Sequence, residues 1–216
     1  MRRPASELES QIHSAYLASG NTLGWRFLYS PLSVLNHSDV AFIGLNPGGA
    51  EIEPNLFALE KGSAYRDEVW WEGCGAGGSP LQIQVQTLFQ MLDVNPERVL
   101  AGNLVPFRSP CWETLRNPSD ALAFGRRIWG EILRKVRPRL VVAMGEVARS
   151  EVARALGIDT LQSFPTGWGS VKAFRGETNG ITLVGIPHLS RFQLMRRSKS
   201  AREIADLFHG FVAPSG

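Results

Sequence analysis

Cysteine is nearly missing from this chain: its 216 residues include two, Cys74 and Cys111. Two cannot build a disulfide framework, an all-cysteine metal site or an iron–sulfur cluster. Free thiols in a reducing compartment are expected. No apolar run approaches the roughly 20 residues of a membrane-spanning helix. The N-terminus, Met1-Arg2-Arg3-Pro4-Ala5-Ser6-Glu7, turns polar and acidic instead of leading into the apolar core of a signal peptide. A cytoplasmic protein with no membrane partner is expected. The four histidines, His13, His37, His188 and His209, lack metal-ligand spacing, so neither metal nor cofactor is expected. The run Gly73-Cys74-Gly75-Ala76-Gly77-Gly78 lacks the Gly-Lys-Ser/Thr of a phosphate loop and follows no strand. No repeat, low-complexity segment or domain boundary is visible. A content of 44% hydrophobic and 20% charged residues fits one globular domain over residues 1–216.

What is present is an alternation of helical and strand patterns. Leu8, Ile12, Ala15 and Tyr16 predict a helix over 5–19. Short apolar runs predict strands at 40–45, 98–105, 140–144 and 181–187. Helices are predicted from Ser79-Pro80 to 92, then over 117–136, 146–156 and 200–211. Ser79 suits the cap and Pro80 the first turn. Residues 50–80 read as a long irregular excursion, of the kind that is usually functional. The order α-β-α-β-α-β-α-β-α predicts an α/β fold: a three-layer αβα arrangement around a central four-stranded, mainly parallel sheet.

Ligands of such sheets bind at the carboxyl ends of the strands. Three strand ends here carry polar groups: Asn46, Asn103 and His188. Each alone reads as a strand-end cap, and Asn-Pro-Gly is also an ordinary turn signal. Together they read as a site. From His188 to Arg202 the chain carries five basic residues and no acid, which suits phosphate contacts or a solvated helix entry. Ser109-Pro110-Cys111-Trp112 hints at a thiol nucleophile, but a structural Cys111 is the expected reading.

Gly44-Leu45-Asn46-Pro47-Gly48 resembles the first motif of the uracil-DNA glycosylase superfamily. It is closest to the mismatch-specific and single-strand-selective monofunctional families, which carry Gly-x-Asn-Pro-Gly. Pro187-His188-Leu189-Ser190-Arg191-Phe192 resembles the second motif, His-Pro-Ser followed by a wedge loop. Residues 137–145 are similar to the superfamily's third-strand segment. The resemblance covers about residues 38–210 in element order.

The resemblance implies a DNA repair enzyme acting as a monomer on single- or double-stranded DNA. It would flip out uracil or a related base and hydrolyse its N-glycosidic bond. Asn46 would hold the attacking water, and His188, as a neutral donor, would stabilise the departing base at O2. Asn103 would pair with the uracil edge. Phe57, eleven residues beyond Asn46, would stack on the ring. Gly44, Leu45, Pro47 and Gly48 would shape the base pocket. Gly48 stands where the strict uracil family has a bulky Tyr, which implies tolerance of 5-substituted uracils. Phe192 falls at the wedge position, with Ser190, Arg191, Arg196 and Arg197 on the DNA. Phe57 and Phe192 also read as core residues. No lysine stands in the matched motifs, so no Schiff base is expected.

The chain departs from the family pattern in three places. Leu189 replaces the second motif's Pro. Asn46 replaces the strict family's Asp, which implies a slower enzyme. The 50–80 excursion matches no branch. An alternative is therefore a catalytically silent member that binds nucleic acid or a damaged base. A Rossmann-like nucleotide enzyme is a further alternative, against which the basic run and Phe192 count.

Overall fold

The strands of this chain send alternate side chains into two apolar layers. Val40 and Phe42 join one layer with Leu140, Val142, Met144, Val184 and Ile186. Ala41 and Ile43 join the other with Val141, Ala143 and Leu183. That is the two-residue period of a strand buried on both faces. The computed structural model describes residues 4–212; Met1, Arg2 and Arg3, which entered the reading of the N-terminus, lie outside them.

Six strands form one sheet: β1 (Val40–Gly44), β2 (Leu100–Asn103), β3 (Leu140–Met144), β4 (Gln162–Pro165), β5 (Lys172–Thr178) and β6 (Ile181–Ile186). Their order is β2-β1-β3-β6-β5-β4. The first four run parallel, and β5 and β4 continue antiparallel. The expected four-stranded sheet is thus corrected to six. The additional hairpin was hidden because β4 is largely exposed and β5 carries Arg175, Gly176 and Glu177. Neither shows the apolar run of a buried strand.

Helices cover both faces. α1 (Pro4–Ser19), α4 (Pro118–Val136) and α5 (Glu146–Leu156) pack Ile12, Trp129, Leu133 and Val152 onto one layer. α3 (Pro80–Met91) and α6 (Ala201–Leu207) pack Val85, Leu88, Phe89 and Leu207 onto the other. α3 starts with the expected cap: Ser79 accepts from the Gln82 N–H and the Gln82 side chain accepts from the Ser79 N–H, the reciprocal pair of a capping box. α4 ends at Arg137, whose φ of 54° is left-handed, and Pro138 prevents continuation. The last helix is shorter than expected and ends at Leu207.

The 50–80 excursion is tied down. It contains a single helical turn, α2 (Ala64–Asp67). The Gln82 amide donates to the carbonyls of Ala64 and Glu68, both at 2.8 Å. The Gln86 amide donates to those of Tyr65 and Gly77. Residues 25–31 run along the outer edge of β2. Leu28 bridges Gly102, and the Tyr29 N–H donates to the Ala101 carbonyl at 2.8 Å. Among the described residues no helix is long and apolar enough to cross a membrane.

Candidate functional site

The chain leaves β1 for β2 on one side of the sheet and later places β3 on the other. Between β1 and β3 the winding reverses, and ligands of open α/β sheets bind at such a point. A cleft of about 1210 Å³ opens there at the carboxyl ends of the strands. Asn46, Asn103, Gly145 and His188 reach it from the ends of β1, β2, β3 and β6.

Asn46 is half-buried in the turn after β1. Its Nδ2 donates to Ser109 Oγ at 2.8 Å and to the Pro47 carbonyl at 3.1 Å. Asn103 is buried, and its Nδ2 donates to the Tyr29 hydroxyl at 2.8 Å. A Cβ added to Gly44 would lie 2.5 Å from Asn103 Oδ1. Glycine at 44 is therefore what lets that amide lie across the end of β1.

His188 Nδ1 faces the Ser190 backbone N–H at 3.4 Å and the Ser190 hydroxyl at 2.8 Å. A backbone N–H only donates, so Nδ1 is the acceptor and the ring proton sits on Nε2. Burial, and then the charge of Arg191, hold the imidazole below its usual pKa. The lowered value favours the neutral form, so its stability contribution is complete above the unfolded pKa of about 6.5 and is lost as pH falls through the folded one. The Arg191→Gln variant removes one of the two causes. Its His188 is expected to titrate at higher pH than wild type, measurable from the imidazole carbon-bound protons by NMR. An unmoved titration would mean that the Arg191 charge is not felt.

The far wall is built from two buried arginines, Arg26 and Arg108, each paired with a more exposed glutamate. Arg26 grips Glu68 with two hydrogen bonds, at 2.8 and 2.6 Å, and its guanidinium lies 4.2 Å from the Tyr29 ring centre. Burial opposes charge on Glu68, but the Arg26 bond and charge prevail and hold its carboxyl below the usual range. Arg108 bonds Glu53 at 2.5 Å and the Gly48 carbonyl. Burial raises the pKa of both Tyr29 and Tyr65, so both phenols stay neutral. No group of three or more His, Cys, Asp or Glu side chains among the described residues is placed to hold a metal ion.

Of the residues singled out from sequence, Leu45, Asn46, Gly48, Asn103, His188, Ser190, Arg191 and Phe192 line the cleft. Phe57 does not: it is buried in the opposite layer, stacked on Phe27 with ring centres 5.7 Å apart. Its core reading holds and its stacking reading is corrected. Gly44 and Pro47 lie beneath the surface and support the cleft rather than line it. Phe192 is half-buried at the rim, edge-on to Trp168 at 5.9 Å. Arg197 lies over the same Trp168 ring at 4.4 Å, and neither Arg196 nor Arg197 lines the cleft. Leu189 is fully buried, so packing anchors the loop where the motif has a proline ring. Cys111 and Cys74 are free thiols.

The family model of the Uracil DNA glycosylase superfamily matches residues 32–210. The chain belongs to that superfamily. No curated protein matches the chain. As in the superfamily at large, a mostly parallel sheet is flanked by helices. The span matched to the uracil DNA glycosylases holds Asn46, Asn103 and His188, whereas Arg26 and Tyr29 precede it. Sequence reading missed those two, with Tyr65, Glu68, Arg108 and Ser109. Their segments lack helical or strand periodicity, and only pairing with β1, β2 and α3 brings them to the cleft.

Proposed function

We propose that this chain is a monofunctional DNA glycosylase that hydrolyses the bond between deoxyribose and uracil, or a 5-substituted uracil, once the base is flipped out of DNA. The observation that carries this reading is the meeting of Asn46, Asn103 and His188 in one cleft. Bond cleavage builds positive charge on the sugar and negative charge on the base. Asn46 Oδ1 holds the water; an amide is no strong base, so its contribution is placement. The Nε2–H of neutral His188 donates to O2 of the departing base and spreads its charge. Asn103 Oδ1 and its remaining N–H meet N3–H and O4 of the uracil edge. With Phe57 in the core, stacking falls to the aromatic wall of Tyr29, Tyr65 and Trp70. Ser190, Arg191 and Phe192 at the rim face the DNA on either side of the flipped nucleotide.

A Cβ on Gly48 would meet nothing within 4 Å. That open space supports the acceptance of a substituent at C5. The Gly48→Tyr variant fills it. The ratio of uracil to hydroxymethyluracil release is expected to rise by about tenfold or more, the scale set by rejecting one small group. Parallel single-turnover assays on the two oligonucleotides measure it, and an unchanged ratio would remove Gly48 as the determinant.

The test of the activity itself is single-turnover base release. Single-stranded and duplex oligonucleotides carry uracil, hydroxymethyluracil, hypoxanthine or xanthine, with Asn46→Ala and His188→Ala as controls. Release by wild type and its loss in both controls is the expected result. Folded protein that binds DNA with a steep salt dependence but releases nothing would leave the silent binder as the reading. Lys172 also reaches the cleft, from β5. Borohydride is expected to trap no covalent complex; a trapped one would make the enzyme a lyase, with Lys172 the residue to replace.

A further inference from the structure

Three consecutive residues of the turn after β1 are stitched to residues 108 and 109. The Gly48 carbonyl accepts from the Arg108 guanidinium. The Pro47 carbonyl accepts from the Ser109 backbone N–H at 3.2 Å. Asn46 Nδ2 donates to Ser109 Oγ at 2.8 Å. Ser109 is 3% exposed, and its own hydroxyl donates to the Cys111 carbonyl at 2.8 Å.

This chain of bonds decides which way the Asn46 amide faces. The Pro47 carbonyl, 3.1 Å from Nδ2, only accepts. Ser109 Oγ also accepts at this point, because its single proton is committed to Cys111. Both amide hydrogens therefore have partners. A flipped amide would set its oxygen against two acceptors and trade two hydrogen bonds for that repulsion. Asn46 Oδ1 has no hydrogen-bond partner among the described residues and is the free end.

We propose that Ser109 is the positioning residue for Asn46, holding the amide nitrogen so that the oxygen alone is presented to the attacking water. The inference rests on the glycosylase reading and deepens it. Ser109 acts through Asn46, whose amide nitrogen it holds. It also explains why the turn suits Asn rather than Asp. A carboxylate at 46 would turn a second oxygen toward the Pro47 carbonyl and the lone pairs of Ser109, so a chemically stronger base is here the worse fit.

The test compares Ser109→Ala, Ser109→Thr and Asn46→Asp in the full chain. Ser109→Ala is expected to lower the single-turnover rate about tenfold, the size of one lost orienting contact. The protein concentration that half-saturates the DNA stays close to wild type. Ser109→Thr keeps the hydroxyl and recovers most of the rate. Asn46→Asp is expected to be slower than wild type at neutral pH.

A second readout needs no activity. The Asn46 side-chain amide signal in a ¹⁵N–¹H spectrum is identified by its loss in Asn46→Asp. In Ser109→Ala it is expected to shift and to exchange faster with water; in Ser109→Thr it stays. A wild-type rate and an unmoved amide signal in Ser109→Ala would overturn the proposal while leaving the glycosylase reading intact. So would an Asn46→Asp enzyme faster than wild type. If wild type releases no base while the amide signal responds as described, the hold of Ser109 on Asn46 stands and the glycosylase reading fails.

Discussion

Base release by His188→Ala is expected to fall about 10²–10³-fold, the usual cost of one donor that meets charge developing in the transition state. Affinity for uracil-containing DNA is expected to stay near that of wild type, because the neutral base carries little charge at O2 before the bond breaks. The size of the effect follows from the ring's fixed tautomer. Ser190 occupies Nδ1 with a backbone N–H and a hydroxyl, so Nε2–H is left for the base. Burial and Arg191 keep the ring neutral, and no proton has to leave before it donates. Single-turnover rates at saturating protein, with DNA affinity from fluorescence anisotropy, separate the two quantities. A rate within about threefold of wild type would take His188 out of the chemistry.

Trp129→Ala is expected to lower the folding free energy by about 3–5 kcal/mol. The indole is fully buried and tilts against Phe27 with ring centres 5.3 Å apart. Its Nε1–H donates to the Asn103 backbone carbonyl at 2.8 Å. A Cβ on Gly102 would come within 3.0 Å of the ring, so the indole fills the space that glycine leaves beside β2. The cost is thus a large cavity and a lost hydrogen bond at the strand that carries Asn103. Trp129→Phe keeps most of the volume and is expected to cost about 0.5–1.5 kcal/mol for the bond, plus a smaller packing loss. Urea unfolding of the three proteins measures both. A loss below about 1 kcal/mol for alanine would show that the neighbouring side chains collapse into the space.

The strand ends were legible in the sequence for a physical reason. Val40–Gly44, Leu140–Met144 and Ile181–Ile186 are short runs buried on both faces, and a polar residue just beyond such a run has few places to go. Asn46 and His188 stood out on that ground, and Asn103 closed β2 in the same way. The opposite wall was not legible. Arg26 and Tyr29 sit in a segment that meets β2 and the excursion through isolated bridges, which leave no periodic trace. Counting eleven residues along an irregular loop put Phe57 at the base, whereas the loop turns that ring into the core. The segment around Ser109 drew notice for the thiol of Cys111. What matters there is the Cys111 carbonyl, which takes the Ser109 proton.

The margins of the sheet have a consequence for how this protein meets copies of itself. A sheet margin with unpaired amides is a template for strand addition. On one margin, residues 25–31 already bond to β2. On the other, β4 is four residues long and ends in Pro165, which has no N–H to offer. A second chain would find almost nothing to continue the ladder on either side. The protein is therefore expected to tolerate high concentration without fibrous growth through its sheet, and any self-association would have to proceed through side chains.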